Sequence, residues 1–195
     1  MYQFVQYIRN HCWWGWVLID KINAACFAVR YGRRFCFVDP ILEQHVTPML
    51  MRRVVLSDLR NLCDFFREQP AETYTYFNPH GFTYGDLLRQ FRNKAFLMFI
   101  ALDGNRIVGY CFLRCFANGK AFRGKIVDYR FRNRGIAKQM GIITTQVATV
   151  MGLRMFGTIS KHNYASMHSS EAVNEIRVIR ELPDDYLYIE YLSKN

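Results

Sequence analysis

The spacing of apolar positions changes period several times along the chain, and the changes mark out elements. Residues 49–56 read as a first strand. Ser57 follows as a helix N-cap with Asp58 in the first turn, where a carboxylate favours the positive helix end. Leu59, Leu62, Cys63, Phe65 and Phe66 then recur at helical spacing to about residue 69. Residues 70–83 form a loop of unusual aromatic weight, and 84–93 a second short helix. Two apolar runs, 95–102 and 106–116, are joined by Asp103-Gly104-Asn105, a strong hairpin signal because Gly and Asn tolerate positive φ. A turn at 117–120 leads into a strand-like run ending near Phe131. Beyond it come a long helix (136–151), a strand (155–160), a helix (163–173) and a final hairpin, 176–182 and 186–192, across Pro183-Asp184-Asp185. Strands before and after the long helix are expected to be parallel neighbours with a right-handed crossover.

Residues 1–32 stand apart. Trp13, Trp14, Trp16, Val17, Leu18 and Ile19 make a run that is apolar on all sides, but Arg9, Asp20 and Lys21 bracket it. No uncharged stretch reaches the ~18–20 residues a spanning helix needs. A secretory signal is a poor description as well, since the start lacks a basic cluster and a clean small-residue cleavage site. A helix packed on the rest of the chain or on a second subunit is expected first. A peripheral membrane contact through residues 1–32 is the second reading, because tryptophan suits an interface. Asp39-Pro40 and Thr47-Pro48 suggest a connector, dividing the chain into an aromatic-rich extension (1–46) and a main domain (47–195).

The junction between the last internal strand and the long helix carries the chemistry. It reads Val127-Asp-Tyr-Arg-Phe-Arg132-Asn133-Arg134-Gly135-Ile136-Ala137, with Arg132, Gly135 and Ala137 in the spacing R-x-x-G-x-A. N–H groups at a helix start have no carbonyl within the helix to accept them, and the helix dipole adds positive potential, so the site suits a phosphate. Gly135 and Ala137 keep the wall low enough for a phosphate to reach the backbone.

This stretch resembles motif A of the GNAT superfamily, the acyl-CoA-dependent N-acyltransferases, which carry V-x-x-x-x-Q/R-x-x-G-x-G/A at the pyrophosphate loop. The order of elements from residue 49 to residue 192 also follows that family. The resemblance implies an α/β (α+β) fold: a mixed, mostly antiparallel central sheet flanked by helices, with a parallel splayed strand pair at the cofactor site. It implies acetyl-CoA as cosubstrate, with the backbone of Val127 polarising the thioester carbonyl. Arg132, Asn133, Arg134, Gly135, Ile136, Ala137 and Lys138 would hold the pyrophosphate. Asn163 and Ser166 match the family's N-x-x-S on the next helix, where Asn163 would pair with the pantetheine arm. The plain alternatives are solvated loop arginines and ordinary helix capping.

The same helix departs from the family. Many members place a tyrosine seven residues after the asparagine to protonate the leaving thiolate; here Ser170 stands there, a poor acid, leaving Tyr164, His168 or water for the role. The family's proline after the valine is Tyr129, and an aromatic near the helix end is Glu175. For the general base His80 is the first candidate, since an ordinary histidine pKa near ~6.5 suits proton removal at neutral pH. The alternative is a turn residue in Pro79-His80-Gly81. Asp128 and Glu190 are weaker candidates.

Composition narrows the partners. A net charge of +10 over 195 residues favours anionic ligands. Arginine and lysine are spread evenly rather than in a stripe with interleaved aromatics, so nucleic acid is not expected. Six cysteines show no C-x-x-C pair and five histidines are scattered, so no metal site is expected and a reduced, cytoplasmic setting fits. The leading reading is therefore N-acetylation of a primary amine on a small molecule, with amino sugars or sugar nucleotides suggested by the aromatic loop. A protein or peptide N-acetyltransferase and a non-catalytic CoA-fold binding module stay open, as does a homodimer.

Overall fold

The apolar runs of the sequence assemble into one sheet because each is long enough to pair, and the central strands, buried almost along their whole length, are apolar enough to be covered on both faces. The computed structural model describes residues 13–44 and 49–194 and, within them, all side chains but those of Trp13, Trp14 and Trp16. The expectations for residues 1–12, and the boundary expected at 46/47, lie outside the described residues.

The strands are β1 (Leu50–Arg53), β2 (Phe96–Asp103), β3 (Arg106–Cys115), β4 (Lys120–Val127), β5 (Arg154–Ser160), β6 (Asn174–Leu182) and β7 (Tyr186–Ser193). They form a seven-stranded sheet in the order β1-β2-β3-β4-β5-β7-β6. Every pairing is antiparallel except that of β4 with β5. The helices are α1 (Trp13–Tyr31), α2 (Val38–Glu43), α3 (Asp58–Arg67), α4 (Tyr84–Arg92), α5 (Ile136–Val150) and α6 (Tyr164–Glu171). The fold is thus the mixed α/β arrangement expected, with α5 as the crossover between the parallel strands.

Two apolar clusters sandwich the sheet. On one face α1, α2 and α5 contribute Phe27, Tyr31, Val38, Ile41, Met140, Ile143 and Val147, packed with Leu97, Phe99, Val108 and Leu113 of the strands. On the other, Leu59, Leu62, Phe65 and Phe66 of α3 and Leu87 of α4 cover Met98, Ile100, Tyr110 and Phe112. Burying aliphatic and aromatic side chains of this size contributes on the order of 1.5–3 kcal/mol each. The extension is therefore part of the same core: Phe27 is 0% exposed, and Asn23 of α1 donates to Cys115 O (3.0 Å) and accepts from Ala117 N (3.0 Å). The opposite side of α1 leaves Leu18, Ile19, Ile22 and Val29 exposed. Among the described residues no helix is long and apolar enough to cross a membrane.

Three local expectations need correction. Ser57 has helical φ (−65°) and makes no side-chain cap. Asp58 instead closes the turn before the helix, accepting from Val55 N (2.8 Å) while Arg52 donates two hydrogen bonds to it (2.6 and 2.8 Å). The strand expected to run to Phe131 stops at Val127, because Asp128 accepts from Arg130 N (2.9 Å) and starts a 3-10 turn (Tyr129–Phe131). The first strand is also shorter than the apolar run around it, ending at Arg53. At the far edge, β6 carries Glu175, Arg177, Arg180 and Glu181 and is irregular between Val178 and Arg180.

Candidate active site

β4 and β5 pair at only three positions, Lys120 with Arg154, Ala121 with Met155 and Phe122 with Phe156. Beyond them both strands continue but separate, each still bonded on its outer side: β4 to β3 as far as Val127–Gly109, β5 to β7 as far as Ser160–Tyr186. The inner edges therefore turn unpaired backbone groups toward each other, a state that demands a partner. Asp128 N–H is accepted by Val108 O on β3 (2.9 Å). By the alternation of an extended strand, the N–H groups of Val127 and Lys125 point the other way, into the gap.

The gap opens into a cleft of about 1210 Å3. Its wall includes Gly124 to Val127 of β4, Thr158 to Ser160 of β5, the loop before α5 and the start of α6. Gly135 adopts φ +78°, and a Cβ added there would meet no heavy atom within 4 Å. Asn133 is also left-handed (φ 62°). The first helical N–H accepted in α5 is that of Gln139, by Gly135 O (3.0 Å), so Ile136, Ala137 and Lys138 have no acceptor within the helix. Arg132 donates to Thr73 Oγ1 (3.2 Å), tying the loop to the 3-10 turn Ala71–Thr75 across the cleft.

Most residues expected from sequence meet here. Val127, Arg132, Asn133, Gly135, Ile136, Ala137, Lys138, Asn163, Tyr164 and Ser166 all line the cleft. Asn163 accepts from Ser166 N (3.0 Å), so its amide also serves as the α6 cap. Tyr164 is 76% exposed, at the rim.

Three do not line it. Arg134 turns its guanidinium over the Phe131 ring, 4.7 Å from the centroid. Ser170 is 0% exposed and accepts from the Arg123 guanidinium (3.3 Å), which also donates to Asn174 (3.1 Å) and lies over Tyr191 (3.7 Å). A serine hydroxyl fully buried off the cleft lining does not reach a group in the cleft. His80 packs among Phe66, Phe82, Phe96 and Phe112. Its Nδ1 is 2.8 Å from Gly81 O and its Nε2 3.1 Å from the Tyr110 hydroxyl. With Nδ1–H donating to a carbonyl, Nε2 can only accept, and Tyr110 fills it. Burial lowers the His80 pKa, against a weaker raising effect of the Gly81 carbonyl. The geometry gives no support to His80 as a base reaching substrate. Asp128 and Glu190 are 1% and 2% exposed and held by arginines: Arg130 and Arg106 on the first, Arg154 and Arg177 on the second.

Sequence reasoning missed Lys125. It lines the cleft on the same side of β4 as Val127 and donates to Ala137 O (3.2 Å). Burial, and then the neighbouring Arg123 charge, lower its pKa to about 7. The missed signal was the alternation of Arg123, Lys125 and Val127, which places two cations on an inward face.

The cleft is basic and aromatic. Arg123, Lys125, Arg132, Lys138, His162 and His168 line it, against Glu72 as the single carboxylate among its described lining residues. Tyr76, Phe77, Tyr129, Phe131 and Tyr186 supply rings around it.

No family model and no curated protein matches the chain by sequence. Solved structures do match its fold. The GNAT domain of S. lividans PAT superposes with a TM-score of 0.64 at 16% identity, covering 73% of this chain and 89% of that one. The PaiA N-acetyltransferase of Thermoplasma acidophilum, solved with coenzyme A, gives 0.62 at 16% identity, over 75% and 99%. The ribosomal-protein-S5-alanine acetyltransferase of Vibrio fischeri gives 0.59 at 15% identity, over 74% and 93%.

Proposed function

We propose that this chain, folded as the GNAT acetyltransferases are, transfers an acetyl group from acetyl-CoA to a primary amine of a small molecule. The observation that carries the reading is the separation of β4 from β5 beside an open, positively biased helix start. The site residues fit such a cosubstrate: a phosphate can approach the backbone at Gly135, where no side chain intervenes, and the lining is cationic. When bound, acetyl-CoA supplies an activated acyl group.

The chain's residues then do the rest. The helix-start N–H groups of Ile136 to Lys138, with Arg132 and the Lys138 side chain, hold the phosphates. The Val127 N–H donates to the acyl carbonyl oxygen, an oxyanion-type contact whose loss elsewhere costs 10²–10³-fold. Asn163 offers its amide to the arm between the strands. The acceptor enters from the side of Tyr76 and Phe77, and holding it against the acyl group can supply roughly 7–11 kcal/mol of the barrier. Proton delivery to the departing sulfur falls to Tyr164 or His168, both on α6 and both at the cleft wall.

A small-molecule acceptor is favoured over a peptide because Glu72 offers only one carboxylate to a cationic lysine or N-terminus. Aromatic rings at the rim suit stacking on a sugar or a base, as in an amino sugar or sugar nucleotide. Calorimetric titration with acetyl-CoA, followed by a panel of amines read by thiol release, tests the reading. Tight binding and turnover on a small amine is the expected result. Absence of binding overturns it, and binding without turnover on any amine returns the non-catalytic module.

A further inference from the structure

The reactive group that the proposed transfer leaves unused is the Lys125 amine. Lysine is ordinarily an ammonium near neutral pH, with an unperturbed pKa near ~10.4, and as such has no lone pair to attack a carbonyl. It becomes a nucleophile when burial and neighbouring cations strip the proton. Lys125 has both conditions. Its side chain leaves β4 on the side of Val127 and lines the gap. Among the described residues it forms no ion pair, and its hydrogen bond goes to a neutral acceptor, Ala137 O at 3.2 Å. The charged and titratable groups around it come from every wall. Arg123 shares its strand, Cys111 faces it from β3, Lys138 belongs to α5, Arg132 to the preceding loop, and His162 and His168 to the β5–α6 side, while Glu72 across the cleft is the single carboxylate among the described lining residues. Burial first, with Arg123 next, brings the pKa to about 7.

From this placement we infer that Lys125 is an internal acyl acceptor: the chain, loaded with acetyl-CoA, acetylates its own Lys125 side chain. The inference rests on acetyl-CoA occupying the gap, as proposed above. Anything lying between β4 and β5 passes the Lys125 side chain, since Lys125 and Val127 share one face of one strand and both reach the cleft. In the step, the neutral Nζ lone pair forms a C–N bond to the acetyl carbon and the C–S bond breaks, its electron pair leaving on sulfur. One proton from nitrogen goes to that thiolate, so the products are acetyl-lysine and the CoA thiol. No oxidant, reductant or further co-reactant is needed. Ala137 O, at the helix start, accepts from the amine.

The test uses the full chain. Purified protein is incubated with acetyl-CoA and followed by intact mass and peptide mapping, alongside calorimetric titration of acetyl-CoA and the variant Lys125→Arg. One acetyl group per chain, mapped to Lys125, is the expected result, with a rate that saturates in acetyl-CoA and falls under excess free CoA. Lys125→Arg should gain none at that position. Mapping of the unsubstituted chain decides the matter even where the variant folds poorly. Acetylation scattered over exposed lysines such as Lys21, Lys94 and Lys161, without preference for Lys125, overturns the inference. So does binding of acetyl-CoA with Lys125 unmodified, which leaves the proposed function standing. Absence of binding overturns both.

Discussion

The Arg123 guanidinium donates to the Ser170 hydroxyl across 3.3 Å, joining the middle of β4 to the end of α6. Because that hydroxyl is spent on a buried cation, Ser170→Ala should leave turnover within about twofold and lower stability by about 1 kcal/mol, the usual worth of one hydrogen bond. Arg123→Ala should cost more, about 3 kcal/mol, since it also strips Asn174 and the face of Tyr191. Urea unfolding beside steady-state rates separates the two; a large rate loss in a stable Ser170→Ala protein would restore Ser170 to the chemistry.

Gly135 sits at φ +78° with open space where a Cβ would go. Gly135→Ala should therefore fold, losing about 1–2 kcal/mol to left-handed strain. Gly135→Asp carries the same strain and adds a carboxylate where phosphates would lie, and should weaken acetyl-CoA binding by at least ~2–3 kcal/mol. Calorimetry on both variants reads the difference; equal affinities would remove the phosphate loop from the proposal.

His80 makes a prediction about pH rather than rate. Its pKa is lowered in the fold by burial, so the neutral ring is the one the folded state prefers. The stability it contributes is present above the unfolded value near ~6.5 and is lost as pH falls below that value toward and through the lower folded pKa. The chain should lose stability over that acid window, and His80→Phe should flatten the loss. Turnover in His80→Asn should fall by less than about tenfold with its pH profile unmoved. A shifted profile in a folded variant would make His80 the base after all.

Phe27 joins the extension to the main core, stacked on Tyr31 at 4.9 Å and fully buried. Phe27→Ala should cost about 3–5 kcal/mol, as for other large core aromatics. Deleting residues 1–32 should yield aggregated or unstable protein, because Cys115, Ala121 and Leu153 lie in the same core cluster as Phe27. A soluble, equally stable truncation, measured by thermal melting, would show α1 to be dispensable.

Much of this was legible in the residues because local chemistry and long-range packing agreed. Asp103-Gly104-Asn105 announced a hairpin, and Asp103 pairs with Arg106 with Gly104 at φ +57°. The strand–loop–helix junction was legible from spacing, and Gly135 takes φ +78° at the turn into α5, where glycine is favoured. What failed were readings that depended on partners distant in sequence. Ser57 does stand at the N-cap position, but its side chain makes no cap bond and the turn before the helix is closed by Asp58, held by Arg52. His80 looked free until Tyr110, thirty positions away, filled its second nitrogen. Lys125 and Arg123 alternate with Phe122, Gly124 and Ile126, so by composition the charged side of β4 reads as the solvent side. In the fold that side faces a cleft, and only the separation of two strands, invisible to periodicity, makes it so.

The sheet's outer strands carry a consequence for the protein at high concentration. An unpaired edge is a template on which another copy's strand can add. At one border β1 ends at Arg53, too short to seed a long ladder. At the other, β6 sets Glu175, Arg177, Arg180 and Glu181 along the strand and breaks register between Val178 and Arg180, although Val178 and Ile179 are exposed. Strand-by-strand polymerisation is thus resisted at both borders by length on one side and by charge and kinking on the other. Replacing Arg177 and Arg180 by valine would remove that resistance and turn the β6 border into a site for filament growth.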